Sequence, residues 1–92
     1  MNVNLNFLGL FKEHIGEETV SMELLENADY DDLLDEIGRR YGKKLPKTLW
    51  NQEKREFKPS ILCIGEGRDL ETRNTIIKPE ETISIVVHMA GG

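Results

Sequence analysis

Ile83-Ser84-Ile85-Val86-Val87-His88-Met89-Ala90-Gly91-Gly92 is the stretch around which the rest of this chain must be arranged. From Ile83 to Met89 it is apolar and rich in β-branched residues, which favours an extended strand. Ile83, Ile85, Val87 and Met89 share one face of that strand, and Ser84, Val86 and His88 share the other. With the first face turned into a core, Val86 is left outside. Together with His88 and Met89 it is a candidate docking contact beside the end of the chain. Ala90, Gly91 and Gly92 then form a slender, flexible tail over 89–92. Glycine has no Cβ, so such a tail can thread a narrow channel and take dihedrals closed to other residues. Extended, it reaches about 13 Å from Met89 to the carboxylate. A partner enzyme can therefore take in the carboxylate while the folded body stays outside. A small, frayed terminus is the plainer alternative.

Working outward, Asn2-Val3-Asn4-Leu5-Asn6-Phe7 alternates polar and apolar with period two. It reads as a strand with Val3, Leu5 and Phe7 inward. Gly9 and the segment from Lys12 to Gly16 break the pattern as a turn, and Thr19 to Leu24 restores it with Val20, Met22 and Leu24 inward. The two runs make a hairpin. Asp29 then caps a helix whose apolar positions, Tyr30, Leu33, Leu34, Ile37 and Tyr41, recur at three and four residues, with Gly42 to end it. Beyond it, Leu45, Leu49 and Trp50 suit a short helix with Pro46 in its first turn, and Gln52 to Lys58 is polar enough for a loop. Ser60 to Ile64 reads as a strand, Gly65-Glu66-Gly67 as a turn, and Asp69 to Thr72 as a short extended piece pairing back. Lys78-Pro79-Glu80-Glu81 is a turn with proline at its second position. The helix supplies the crossover that lets the last strand lie parallel to the first, giving a mixed sheet with one main helix across one face, an α+β architecture.

The 92 residues suit a single domain, 1–92, with 38% hydrophobic and 32% charged residues and a formal net charge of −5. This is the profile of a soluble globular protein with little room for a deep catalytic pocket. The acidic balance argues against nucleic acid as a partner, and no apolar run is long enough for a bilayer, so no membrane partner is expected. Met1-Asn2-Val3-Asn4 lacks the regions of a signal peptide, and the expected location is the cytoplasm. Cys63, the one cysteine, lies in an apolar run and reads as a small buried residue. His14 and His88 have no ligand-spaced companion, so no metal site is expected. Lysine and arginine are absent from Glu13 to Gly38 and then crowd between Arg39 and Lys58. Part of that block opposes the helix dipole, and the rest is a solvated basic face or a partner contact. No Ser-His-Asp, Cys-His or phosphate-loop arrangement appears, so the chain is not expected to be an enzyme.

The strand order, the opening Phe7-Leu8-Gly9-Leu10-Phe11-Lys12-Glu13, the turn at Lys78 to Thr82 and the closing Met89-Ala90-Gly91-Gly92 resemble the ubiquitin-like sulfur carriers of β-grasp fold. Within them the chain is most similar to the MoaD branch, the small subunits of molybdopterin synthase. The resemblance implies that an E1-like enzyme adenylates Gly92 with ATP. Sulfur transfer then yields a C-terminal thiocarboxylate, and the carrier delivers that sulfur to a precursor held by a synthase large subunit. Gly91 and Ala90 would give the tail its slenderness. The carrier itself would bind no cofactor, since ATP and the sulfur donor act through the activating partner. Where molybdopterin-branch members often carry paired prolines, this chain has Val87-His88, while its length exceeds that usual in thiamine-pathway carriers. The resemblance also admits a carrier for thiamine, cysteine or another product, and a protein modifier conjugated through Gly92. Outside it stands a plain binding module with inert glycines.

Overall fold

The structure is a computed structural model and describes residues 1–87. The chain opens with β1 (Asn2–Phe7), whose alternation puts Val3, Leu5 and Phe7 wholly out of solvent. A six-residue helix, α1 (Leu10–Ile15), follows where the sequence suggested only a turn. Two features build it. Gly9 takes φ 60°, ψ −128°, a region open to glycine and little else, which turns the chain out of the strand. Phe11 and Ile15, one turn apart, then bury against the core, with the Phe11 and Phe7 rings 6.5 Å apart. Next, β2 (Thr19–Glu23) pairs antiparallel with β1, completing the expected hairpin.

The main helix, α2 (Tyr30–Tyr41), starts at Asp29 as its cap predicts. The Asp29 carboxylate accepts from the Asp32 N–H and the Asp32 carboxylate accepts from the Asp29 N–H, both at 3.0 Å, a reciprocal pair that satisfies two otherwise free donors. All five stripe residues are buried, and Tyr41 meets Phe7 edge-on at 5.6 Å, fixing the helix across the sheet. Gly42 does end the helix, but in right-handed geometry (φ −53°). A Cβ there would press on the Gly38 carbonyl oxygen, which is backbone, as well as on the Gln52 amide, so glycine fits where a larger residue would force a shift.

The next segment departs from expectation. Leu45, Leu49 and Trp50 are buried but form no helix. The Pro46 carbonyl accepts from both Leu49 and Trp50, closing a single turn. The chain then forms a ribbon of β3 (Trp50–Asn51), where Trp50 read as helical, and β4 (Glu56–Phe57), within the Gln52 to Lys58 segment that read as a loop. Trp50 and Phe57, directly opposite, pack edge-on with ring centres 4.9 Å apart. That aromatic pair, with Phe57 against Phe11 at 5.6 Å, outweighs the local preference for a helical turn.

A short hairpin of β5 (Ile61–Gly65) and β6 (Arg68–Asp69) follows, the second strand ending before the expected Thr72. The last strand, β7 (Thr82–Val87), lies between β1, to which it is parallel, and β5, to which it is antiparallel. The five-stranded order β2-β1-β7-β5-β6, with α2 on one face, is the mixed α+β arrangement expected.

Candidate functional site

Residue by residue, β7 is tied down at its start and opens onto an apolar surface at its end. The turn before it closes through a bond from the Glu81 N–H to the Lys78 carbonyl, 3.1 Å, with Pro79 second and Glu80 third. Glu80 has φ 60°, a strained value for a residue with a side chain. What holds it is Glu81, the one buried charged side chain among the described residues. The Glu81 carboxylate accepts from Arg68 Nη2 (2.6 Å) and Nε (3.2 Å) and from the N–H groups of Glu66 (2.9 Å) and Lys78 (3.0 Å). Burial pushes this carboxyl up, but the Arg68 and backbone donors outweigh it and hold it below the usual carboxylate range. The Glu66 carboxylate in turn accepts from the Thr82 N–H at 3.3 Å. The β5–β6 hairpin and the start of β7 are thus one clamped unit.

Along β7, Ile83 and Ile85 are buried under α2, and Val87 packs at the core's margin. Val86 lies half-buried on the opposite, outer face, where its cross-strand partner is Leu62. At the end of the strand a cleft of about 450 Å³ is lined, among the described residues, by Leu8, Gly9, Leu10, Val86 and Val87. Leu8 and Leu10 are 39% and 53% exposed, large apolar side chains left in water by the turn at Gly9. Val86 therefore sits within an apolar patch that includes Leu8, Leu10 and Leu62, three residues the sequence reading did not single out. The alternation of β1, carried one residue past Phe7, would have put Leu8 outside. His88, Met89, Ala90, Gly91 and Gly92 lie outside the described residues.

Cys63 is buried as expected, with a neighbour the sequence did not reveal. The Tyr30 hydroxyl donates to Cys63 Sγ at 3.1 Å. Burial pushes the Cys63 thiol up to about 12, so at neutral pH it is a thiol and a poor nucleophile. Burial likewise raises Tyr30. Among the described residues, no group of three His, Cys, Asp or Glu side chains is placed to hold a metal ion. No described helix is long and apolar enough to cross a membrane.

The basic block divides. Arg39 and Arg40 both pair with Glu36 within α2, and Arg55 pairs with Asp35 at 2.7 Å. Lys43, Lys44, Lys47 and Lys54 are exposed. Arg73, outside the block, bridges Asp31 (2.5 Å), Glu56 (2.9 Å) and the Lys54 carbonyl (2.9 Å), fastening the ribbon to the start of α2.

This architecture is that of a ubiquitin-like β-grasp domain, as comparison with solved structures shows. No protein-family model and no curated protein sequence matches the chain. SAMP1 from Haloferax volcanii is similar in structure with a TM-score of 0.80 at 15% identity over 100% of both chains. A putative molybdopterin converting factor, subunit 1, from Pyrococcus furiosus is similar at 0.73 and 17% identity, over 97% of this chain and 99% of that one. The BexX/CysO complex of Amycolatopsis orientalis contains a chain similar at 0.66 and 21% identity, over 98% and 99%.

Proposed function

We propose that this chain is a ubiquitin-like sulfur carrier that acts through Gly92, and that its acceptor reaction is molybdopterin synthesis, in which it serves as the small subunit of the synthase. The observation that carries this reading is the course of β7. A central strand, clamped at its start by Glu81 and bonded on both sides, runs toward the sequence Ala90-Gly91-Gly92 beside an apolar patch at Val86. A rigid strand fixes where the tail begins, and the patch gives a partner something to grip. The similarity to the Pyrococcus furiosus converting factor subunit supports the molybdopterin branch.

The chemistry follows from the terminal carboxylate. That group is a poor acylating agent because its leaving group would be an oxide. An E1-like partner transfers AMP from ATP to the Gly92 carboxylate and releases pyrophosphate. The mixed anhydride is electrophilic, and a sulfur nucleophile then displaces AMP to leave the thiocarboxylate. This chain supplies the carbonyl, the tail and the docking face, while catalytic groups belong to the activating enzyme and the synthase large subunit.

The alternative of a protein modifier is supported by the similarity to SAMP1. Intact-mass spectrometry of the protein recovered from its own cell separates the two. A carrier shows the mass gain of sulfur replacing oxygen at the C-terminus, whereas a modifier appears joined to lysines of other proteins. Removing Gly92, or extending the chain past it, should abolish adenylation by the cognate enzyme with the circular dichroism unchanged. Normal ATP-dependent adenylation of the extended chain would refute the carrier reading.

A further inference from the structure

A second surface lies away from β7. Between the end of β2, the loop after it and α2 runs a cleft of about 630 Å³. Leu24 and Ala28 are buried in it, and Leu25 on its rim is 86% exposed, the most exposed large apolar side chain described. The cleft is also acidic. Glu23, Glu26, Asp32, Asp35 and Glu36 line it against Arg39 and Arg55. Both arginines are already spent, on Glu36 and Asp35, while Glu23 and Glu26 are exposed and enter no ion pair among the described residues.

The same cleft adjoins an open sheet edge, because β2 is a terminal strand. Glu18 and Leu24 direct their backbone groups toward β1, through Phe7 N–H to Glu18 O (2.7 Å), Leu24 N–H to Met1 O (2.8 Å) and the Met1 amino group to Leu24 O (2.6 Å). Antiparallel pairing alternates this direction residue by residue. Thr19, Ser21 and Glu23 therefore point their N–H and C=O groups outward, and none of these groups has a backbone partner among the described residues. An unpaired edge beside an apolar cleft is the geometry that captures an extended peptide as an added strand.

We propose that the β2 edge and its cleft bind an extended segment of a partner protein in which apolar residues alternate with lysine or arginine. The backbone bonds to Thr19, Ser21 and Glu23, an apolar side chain seats against Leu24 and Leu25 on the α2 side, and the cationic side chains, alternating to the other face, meet Glu23, with Glu26 in the loop just past the strand. Charge selects this occupant over a second copy of the chain. Pairing β2 antiparallel with its own equivalent would bring Glu23 of each copy beside Glu17 of the other at the ends of one short ladder, and like charges across strands repel. The edge is thereby protected from self-pairing and open to a basic strand.

The test is titration of the full, isotope-labelled chain with a short synthetic peptide alternating valine and lysine, followed by amide NMR. Saturable shifts are expected at Thr19, Ser21, Glu23 and from Leu25 to Ala28, with slowed hydrogen exchange at Ser21 and Glu23. Replacing the peptide lysines by glutamate, or making Glu23→Lys with Glu26→Lys in the protein, should weaken binding by at least about tenfold. Ser21→Pro removes an edge donor that β1 does not use and should abolish strand addition. The proposal is overturned by any of four results: equal binding of the two peptides, no binding of the lysine peptide, undiminished binding to the doubly substituted protein, or shifts centred on Leu62 and Val86. A β2-mediated dimer in sedimentation of the peptide-free protein would assign the edge to a second copy and overturn it as well.

Discussion

Removing the Glu81 carboxylate should cost this domain a large share of its stability, and the cost can be worked from its contacts. Glu81→Ala deletes the acceptor for two Arg68 donors and for the N–H groups of Glu66 and Lys78. Truncating one partner of a fully buried ion pair typically costs about 3 to 5 kcal/mol, because the other charge is stranded. Here Arg68 is 26% exposed and keeps its bond to the Ile76 carbonyl at 2.7 Å, so its guanidinium can turn partly to water. Each orphaned N–H adds about 1 kcal/mol once water enters the space left behind. The expected loss is about 2 to 4 kcal/mol, against a total of about 5 to 14 kcal/mol for a chain of this size. Glu81→Gln preserves shape but points an amide donor at Arg68, and should cost about 1 to 2 kcal/mol.

Acidity gives an independent readout of the same pair. The Glu81 carboxyl is held below its ordinary value of 4.5 in the folded state, so the unfolded chain binds its proton more readily. The stabilisation is therefore full above that ordinary value and is lost as pH falls through the lower, folded one. Urea unfolding of the parent protein, Glu81→Gln, Arg68→Met and the double variant, at neutral pH and across about pH 3 to 5, measures both effects. The cycle should show a coupling of about 1 to 3 kcal/mol, and the gap between the parent and Glu81→Gln should close toward low pH. Glu81→Ala within about 0.5 kcal/mol of the parent, or identical acid profiles for the parent and Glu81→Gln, would refute the reasoning.

Three further outcomes are expected. Ile37→Ala, at a fully buried position of α2, should lower stability by about 2 to 4 kcal/mol in chemical denaturation, while Asn4→Ala on the outer face of β1 should change it little. Gly65→Ala places a methyl against the Glu81 carboxylate and should destabilise the parent more than it destabilises Glu81→Ala, a difference read by the same unfolding assay. Val86→Asp should leave the circular dichroism intact and weaken binding to the activating enzyme and to the synthase large subunit by about 2 kcal/mol or more in titrations. Unchanged affinity for both partners would place the docking face elsewhere.

Much of the fold was legible because its signals are local or repeat along the chain. Val3, Leu5 and Phe7 announce β1 by strict alternation, and the α2 stripe with Asp29 ahead of it announces a capped helix. The parallel placement of β7 beside β1 followed from the crossover alone. What escaped depends on partners distant in sequence. The six residues of α1 are too few for a helical period to stand out, and β3 and β4 exist because Trp50 meets Phe57. Glu81 looked like one more turn carboxylate, since its partner Arg68 lies 13 residues away across a second turn. Arg73 and Asp31, 42 residues apart, gave no sign of each other. At the site, Val86 was legible from β7's alternation, whereas its neighbours Leu8, Leu10 and Leu62 come from other strands and turns.

The topology sets the acidic cleft at the far end of β1 from the Val86 patch and on the other face of the sheet, which gives the two proposed surfaces separate roles. Because β7 runs parallel to β1, Val87 ends near Phe7, the end of β1 from which Leu8 and Leu10 emerge. Because β2 runs antiparallel to β1, its last residue, Glu23, lies opposite Asn2 at the other end. The five residues of β2 span about 17 Å at the usual rise, about half the molecule's longest dimension of 34 Å. The cleft moreover opens on the side of α2, while Val86 and Leu62 face away from it. An occupant of the β2 edge would therefore leave the Val86 patch uncovered, and an enzyme drawing in the tail would leave the acidic edge free. A carrier that must hand its terminus from an activating enzyme to an acceptor has to release one before engaging the other, since both need the same tail. If this chain is the carrier proposed above, a second, non-competing surface is the place where a partner can hold it through that exchange.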